Sequence, residues 1–265
     1  MNWIEANGVS LRYELAGGGA DTVVFVHELG GSLESWDETL PAFQREFRTL
    51  RYDQRGFGLS EKASGTLALA DMVADMGALL DALAIGSCLL VGSAMGAGIA
   101  AAFAARHPAR VAGLVVQSLV TRSSPKFRAQ MAERAAAVER TGMRQHAQSS
   151  LDRSYPEILR GDRARFERYR LRWLGNDPRG FAAIGRMLLE MDIDAELGAI
   201  SCPTLAIGCA HDPLRTPDMV KELAGRIGGA RYAEADSGHF MHVQSPALFA
   251  ELAIPFLREA AARAR

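Results

Sequence analysis

The stretch that decides the fold runs from Cys88 to Phe103 and reads Cys-Leu-Leu-Val-Gly-Ser-Ala-Met-Gly-Ala-Gly-Ile-Ala-Ala-Ala-Phe. Its apolar beginning predicts a short buried strand, its glycines a tight turn and its alanines a helix. Strand, turn and helix form the setting of the G-x-S-x-G nucleophile elbow. Small residues there allow strand and helix to approach closely around a central residue with a strained backbone. The segment therefore predicts a place for a nucleophile.

An alanine occupies that place. Aligning Gly92 and Gly96 with the two glycines of the motif puts Ala94 at the position of the serine. Ser93 is an alternative nucleophile, but it lies one residue before the apex and Gly92 would precede it directly. Two interpretations of Ala94 stay open: a deliberate Ser-to-Ala substitution of the kind that traps a substrate, or a natural loss that leaves a binding protein. We favour the first, because an acid and a histidine are still in place downstream.

The composition limits the classes of protein to which this chain can belong. The 265 residues are 48% hydrophobic and 23% charged, which is ordinary for a globular chain that forms one large domain or a core with an inserted cap. A net charge of −1 gives no electrostatic reason to expect nucleic acid or an anionic membrane as a partner. No run approaches the roughly 18 apolar residues of a transmembrane helix.

The location and the cofactors are predicted from what the sequence lacks. The beginning of the chain shows no basic region followed by an apolar run, so we expect no signal peptide. Three cysteines are an odd number, and buried free thiols in a reducing cytoplasm are the expected state. No Cys/His spacing is typical of a metal site, and we expect neither a metal nor a cofactor.

Strands and helices alternate along much of the chain. Asn7-Gly8 between two alternating segments predicts a hairpin, and Thr22–Val26 reads as a strand buried on both faces. Eight strand signals, with helices between them that include one at Trp36–Phe47, predict an α/β fold. The expected sheet is mainly parallel and eight-stranded, with helices on both faces.

The pattern changes after the sixth strand. Residues 121–195 are rich in arginine, poor in β-branched residues and helical in pattern, with breaks at glycine and proline. We expect a helical cap over 121–195, inserted into a core formed by 1–120 and 196–265.

An acid and a histidine follow the last two predicted strands. Asp212 comes after the strand Leu205-Ala-Ile-Gly-Cys, and His239 comes after the final strand, in Ala235-Asp-Ser-Gly-His. Nucleophile, acid and histidine in this chain order are typical of an acyl-transfer triad, in which the imidazole moves a proton and the carboxylate orients it. The neighbouring His211, Asp236 and His242 are expected to be structural or to face solvent.

The oxyanion of such a reaction needs two backbone N–H donors. Met95, directly after the elbow, is the first candidate. The second should come from the loop His27-Glu-Leu-Gly-Gly-Ser, where we nominate Leu29.

These stretches together resemble the α/β-hydrolase family, most of all its branch of 3-oxoadipate enol-lactonases and related lactonases and esterases. The resemblance covers nearly the whole chain. Its matching segments are His27–Gly31, Arg51–Ser60, Gly92–Gly96, Cys202–Gly208 with Asp212, and Ser237–His239. The resemblance implies the α/β-hydrolase fold with a cap after strand 6, and a structural turn role for Asp53.

The chain departs from the family at two positions. One is Ala94. The other is Glu28, because the family usually has His-Gly where this chain has His27-Glu28. A glutamate there places an ionisable group beside the oxyanion loop. Glu28 is either a substrate contact or a residue that points outward or bonds to the loop backbone.

Candidate substrate contacts come from the cap and from the elbow. An arginine fork suits a substrate carboxylate, and apolar side chains suit the acyl wall. The candidates are Arg122, Arg153, Arg186, Trp173 and Met187 in the cap, with Glu28 and Ser93 in the core.

The sequence therefore predicts a serine-type hydrolase of a small ester or lactone that bears a carboxylate, such as an enol-lactone from aromatic catabolism. This chain would be its inactivated form. Hydrolysis of a carbon–carbon bond in a dienoic or β-dicarbonyl acid, and a serine-less binding protein, are the alternatives. The expected partner is a small molecule. The oligomeric state stays open, with a homodimer among the options.

Overall fold

An eight-stranded sheet forms the centre of the molecule. The computed structural model describes residues 2–63, 65–123 and 125–265, with only the backbone for 125–127. The strands are β1 (Asn2–Ala6), β2 (Val9–Ala16), β3 (Thr22–Val26), β4 (Arg48–Tyr52), β5 (Cys88–Ser93), β6 (Val111–Gln117), β7 (Thr204–Cys209) and β8 (Arg231–Ala235). They lie in the order β1-β2-β4-β3-β5-β6-β7-β8. β1 and β2 are antiparallel to their neighbours, and the other pairs are parallel. The predicted fold class is confirmed.

Both faces of the sheet are covered, as β3 shows. Val23 and Phe25 point to one face and pack in a cluster with Trp36, Phe43 and Phe249. Val24 and Val26 point to the other face, where helices α2 and α3 contribute the neighbouring side chains. Because successive side chains of a strand alternate between faces, a run in which every residue is buried requires a layer of helices on each side.

The helices are arranged in chain order around this sheet. They are α1 (Leu40–Phe43), α2 (Leu69–Ala82), α3 (Met95–Arg106), α4 (Pro125–Thr141), α5 (Arg144–Ser154), α6 (Arg163–Leu174), α7 (Pro178–Glu190), α8 (Pro217–Ala224), α9 (Met241–Gln244) and α10 (Pro246–Ala264). None of them, within the described part of the chain, is long and apolar enough to cross a bilayer.

One predicted helix is shorter than expected. The segment Trp36–Phe47 is not one continuous helix, because a 3-10 turn at Leu33–Trp36 is followed by the four-residue α1. Pro41 lies in the first turn of α1. A proline has no N–H for the preceding turn, so the helix begins next to Pro41 rather than running through it.

Four helices, α4 to α7, lie between β6 and β7, where the cap was expected. We call these four helices the cap helices. α7 begins at the cap residue Asp177, whose carboxylate accepts a hydrogen bond from the amide of Gly180 at 2.7 Å. α6 begins in the same way at Asp162, which accepts from the amide of Arg165 at 2.9 Å. The division into 1–120, 121–195 and 196–265 stays our proposal.

The parallel strands end at one edge of the sheet, and this places the predicted site. Val26 pairs with Gly92, Ser93 with Gln117, and Cys209 with Ala235. The loops that follow β3, β5, β6, β7 and β8 therefore start close together, in the crevice where open α/β sheets bind ligands.

Candidate active site

The elbow at Ala94 has the strained geometry that a nucleophile needs. Ala94 has φ 50° and ψ −112°, and α3 starts at the next residue. A side chain at Gly96 would place its Cβ 2.2 Å from the carbonyl oxygen of Val26, and one at Gly92 would lie 2.6 Å from the Cα of Ala97. The Ala94 amide donates to the carbonyl of Gln117 at 2.9 Å. The turn is thus held by backbone contacts and small residues, without a serine.

Asp212 and His239 form a hydrogen-bonded pair. Nδ1 of His239 lies 2.8 Å from Oδ2 of Asp212, and both residues are buried. The other carboxylate oxygen accepts from the amides of Leu214 at 2.8 Å and Arg215 at 3.0 Å. With Nδ1 fixed in this way, Nε2 of His239 is the ring nitrogen left for the substrate, which is the arrangement of a general base.

The electrostatics keep Asp212 ionised. Burial alone would raise the pKa of Asp212, but the facing His239 and the hydrogen bonds from His239 and Ser118 outweigh it and lower that pKa. An ionised carboxylate next to the imidazole stabilises the imidazolium that forms when His239 takes a proton.

Two residues at the end of β6 support the triad, and sequence reasoning missed them. Ser118 donates from Oγ to Oδ2 of Asp212 at 2.7 Å. In the side chain of Gln117, Nε2 donates to the carbonyl of His239 at 3.0 Å, and Oε1 accepts from Oγ of Ser93 at 2.8 Å. The available signal was two adjacent polar residues at the carboxyl end of an apolar strand.

The candidate oxyanion donors, Leu29 and Met95, face the same cavity as Ala94 and His239. Met95 is the first residue of α3, where an amide has no acceptor within the helix. Neither amide donates to another backbone or side-chain group in the described part of the chain. Neither N–H group is therefore used within the described part of the fold, as an oxyanion donor requires.

This cavity has a volume of about 90 Å³ and is lined mainly by apolar side chains. Two of the predicted substrate contacts, Trp173 and Arg153, line the cavity. The lining also includes residues of the cap helices and of loops that the sequence analysis did not single out: Val120, Met131, Arg134, Ser150, Ser154, Leu188, Leu214, Arg215 and Phe240.

Other predicted substrate contacts lie elsewhere. Arg122 is exposed and pairs with Asp194 at 3.0 Å, and Arg186 faces solvent and pairs with Glu139. Met187 is buried in the core, while its neighbour Leu188 lines the cavity, since successive residues on a helix point in different directions. Ser93 is buried against Gln117. None of these four is in the cavity lining.

Glu28 is buried and points away from the cavity, into a polar network. Oε1 accepts from Oγ of Ser35 and from the hydroxyl of Tyr169, each at 2.9 Å. Oε2 lies 3.0 Å from Nε2 of His242. Burial would raise the pKa of Glu28, but the facing His242 and its hydrogen bond lower it to about 2. Glu28 is therefore an ionised structural residue, with His242 as its partner.

Comparison with known proteins agrees with this fold. The model of the α/β-hydrolase fold family matches residues 21–246 of the chain. The chain belongs to the α/β-hydrolase family, and it is related to hydrolases along nearly its whole length.

Three similar proteins illustrate the range of its relatives. The chain is 32% identical over 260 residues to "Putative carbamate hydrolase RutD" of Caulobacter sp. strain K31, covering 95% of this chain and 97% of that protein. It is 26% identical to 3-oxoadipate enol-lactonase 2 of Acinetobacter baylyi, covering 93% and 92%. The crystal structure of the enol-lactonase from Burkholderia xenovorans LB400 has a TM-score of 0.92 at 29% identity, covering 97% and 100%. The predicted resemblance to the enol-lactonase branch is confirmed.

Proposed function

We propose that this scaffold is a serine hydrolase of small esters or enol-lactones that carry a carboxylate, and that Ala94 replaces its nucleophile. One observation carries the proposal. The Asp212–His239 pair, two unoccupied backbone donors and a strained elbow all meet in one small cavity around residue 94. Every part of an acyl-transfer site is in place except the attacking oxygen.

With a serine at position 94, the reaction follows from these groups. Its hydroxyl oxygen attacks the ester carbonyl carbon as Nε2 of His239 accepts the proton. The amides of Leu29 and Met95 hold the oxyanion. Collapse of the intermediate breaks the bond to the leaving oxygen, which takes the proton from His239 and leaves an acyl-enzyme. Water then repeats these steps and releases the acid.

The charge of the cavity supports a substrate that bears a carboxylate. Arg134, Arg153 and Arg215 all line it. In the described residues none of the three forms a salt bridge with a carboxylate. A planar guanidinium binds a carboxylate through two parallel hydrogen bonds.

Restoring the serine tests the proposal. The Ala94→Ser protein is assayed against p-nitrophenyl acetate, simple lactones, carbamates and a vinylogous diketone. We expect a gain in turnover on the order of 10⁶ for the preferred class, because this is the loss seen when a triad serine is removed. Ala94→Gly and the combination of Ala94→Ser with His239→Ala are the controls and should stay inactive. No gain with any compound would contradict the proposal.

The same substitution should leave the fold intact. The elbow already has its strained conformation, so adding one oxygen should change the free energy of unfolding by less than about 1 kcal/mol. Urea unfolding of both proteins checks this, so that an inactive Ala94→Ser protein is not mistaken for an unfolded one.

A binding protein that never had a serine is the second candidate, and Ala94 itself favours it. It requires an alanine codon at position 94 in the native gene, whereas the hydrolase proposal requires a serine codon. Sequencing the gene decides between them. Carbon–carbon bond hydrolysis uses the same triad, and the ratio of lactone to diketone turnover in the panel distinguishes it.

We also propose a cytoplasmic location for this protein. It is supported by Cys88, Cys202 and Cys209, which are free and buried, a state that a reducing compartment maintains.

A further inference from the structure

An arginine lies on the inner face of a cap helix, among apolar side chains. Arg134 is in α4, where its neighbours Met131, Ala135 and Val138 are buried on the same side. Its guanidinium lies 5.5 Å from the ring centroid of Trp173 and lines the cavity above Ala94. A residue that interrupts an apolar stripe of a helix with a charge normally has a partner for that charge.

Arg134 has no such partner in the described part of the chain. Its Nε is buried without a hydrogen-bond acceptor, and Nη1 contacts only the sulfur of Met131, at 3.9 Å. Burial, and then the nearby charge of Arg153, lower the pKa of Arg134 to about 10, which still leaves it positively charged at neutral pH. The rings of Trp173 and Phe181, both at 5.5 Å, offset only part of the lost hydration.

Two further arginines extend this positive charge to the surface. Arg153 donates to the carbonyl of Ser149, and Arg215 donates to the carbonyls of Leu214 and Arg122. Both line the small cavity and also an outer groove of about 810 Å³. Asp192, Asp194 and Glu222 also line the groove, where Asp194 and Glu222 pair with Arg122 and Arg226. Neither Arg153 nor Arg215 forms a salt bridge in the described residues, so an anion that enters the groove meets their positive charge on the way to Arg134.

Resting on the proposed function, we propose that Arg134 is the counter-ion of the substrate carboxylate, with Arg153 and Arg215 at the mouth of the same site. The substrate class is then a small acyl compound with one carboxylate, separated by a short apolar chain from the carbonyl over Ala94. The flat guanidinium lies beside the rings of Trp173 and Phe181, and its planar set of N–H donors fits a planar carboxylate. The cavity of about 90 Å³ limits the size of the acyl chain.

The protein with Ala94 allows a direct binding test, because it does not consume the probe. Calorimetry compares monomethyl succinate, glutarate and adipate with the corresponding dimethyl esters. We expect one monoester to bind at least about tenfold more tightly than its diester, as a charge-assisted hydrogen-bond pair provides. Arg134→Gln should remove this preference and leave diester binding almost unchanged. Equal binding of both esters, or an equal loss for both in the variant, would overturn the proposal.

Matched variants distinguish binding from folding. Arg186→Gln removes a cap arginine that faces solvent and pairs with Glu139, so it should preserve the preference. Arg134→Met removes a half-buried charge that has no carboxylate partner in the described residues, and its melting temperature should equal or exceed that of the parent protein. A marked fall in melting temperature would assign Arg134 a structural role instead.

Butyrate and valerate distinguish failure of this site from failure of the proposed function. These anions have no ester group. If they raise the melting temperature more than sodium chloride does, and if Arg134→Gln removes this rise, the site is supported even when Ala94→Ser is inactive. An active Ala94→Ser protein without any preference for anions would keep the hydrolase and overturn the site. An equal response to inorganic phosphate would show a general anion site and would also overturn the assignment to a carboxylate.

Discussion

The hydroxyl of Tyr169 in the cap donates a hydrogen bond of 2.9 Å to the carboxylate of Glu28 in the loop that carries the candidate oxyanion donor. The same carboxylate contacts His242, three residues after His239. Glu28 therefore connects the loop after β3 with helix α9, which follows the loop of His239, and with helix α6.

We expect Glu28→Gln to change how stability depends on pH. The pKa of Glu28 is lowered from 4.5 to about 2 in the folded protein. Its ionisation therefore stabilises the fold fully above about pH 4.5, and this contribution is lost as the pH falls towards 2. The amount is on the order of 3 kcal/mol. Urea unfolding at several pH values should show that the free energy of unfolding falls more steeply towards acid pH in the parent protein than in the variant.

Glu46→Gln is the matched control, since Glu46 is an exposed partner of Arg258. An ion pair in water contributes little to stability, so this variant should follow the parent protein across the pH range. If Glu28→Gln also runs parallel to the parent, the buried carboxylate does not stabilise the fold through its charge.

Tyr169→Phe should loosen the cap. It leaves one oxygen of Glu28 with fewer donors in a buried site, which destabilises by about 1–3 kcal/mol. Amide exchange in α6 should become faster while exchange in β5 and β6 stays the same. Tyr232→Phe, whose hydroxyl contacts the carbonyl of Pro217 at 3.3 Å in a partly buried site, serves as the comparison and should have a smaller effect. Uniform acceleration across the molecule would indicate global destabilisation rather than local release.

Gly96→Ala should be among the most damaging small substitutions in the chain. The new Cβ would lie 2.2 Å from the carbonyl oxygen of Val26, which is backbone and has little room to move. Overpacking of this kind destabilises by about 1–3 kcal/mol or more. Gly86→Ala meets no atom within 4 Å and should change the unfolding free energy by no more than about 0.5 kcal/mol. Thermal melts of both variants check the contrast.

The thiols should be unreactive in the native protein. Burial raises the pKa of Cys88 and of Cys209 to about 12, and it also raises the pKa of Cys202. Since the thiolate is the reactive form, an aromatic disulfide reagent should modify none of them rapidly near pH 8 and all three in guanidinium chloride. Cys202→Ser should lower by one the number of thiols modified in guanidinium chloride, and it should leave the slow modification of the native protein unchanged. Fast modification of one native thiol would place it on a mobile segment.

Hydrophobic patterns and chain order were sufficient to predict the sheet and the positions of Asp212 and His239. Each of these residues follows a strand, and parallel strands bring their carboxyl ends together regardless of distance along the chain. The helix predicted at Trp36–Phe47 was too long, because Pro41 lies inside that segment and helix α1 begins next to it.

The cap contacts were less predictable for a physical reason. Arg134 and Arg186 both lie on cap helices, and the faces that these helices turn towards the core depend on how the helices pack on one another. Arg134 did carry a local signal, its position among Met131, Ala135 and Val138. The pairing of Glu28 with His242, 214 residues apart, had no local signal at all, because it depends on how the loop after β3 meets helix α9.

The elbow keeps its left-handed turn with only a methyl group at the apex, since φ of Ala94 is 50° and the surrounding glycines and backbone hold it there. Serine and alanine codons can differ by one base. On the proposed function, a lineage with this scaffold would exchange turnover for ligand retention in a single mutational step that leaves the architecture unchanged. Selection on such a gene would act on chemistry alone.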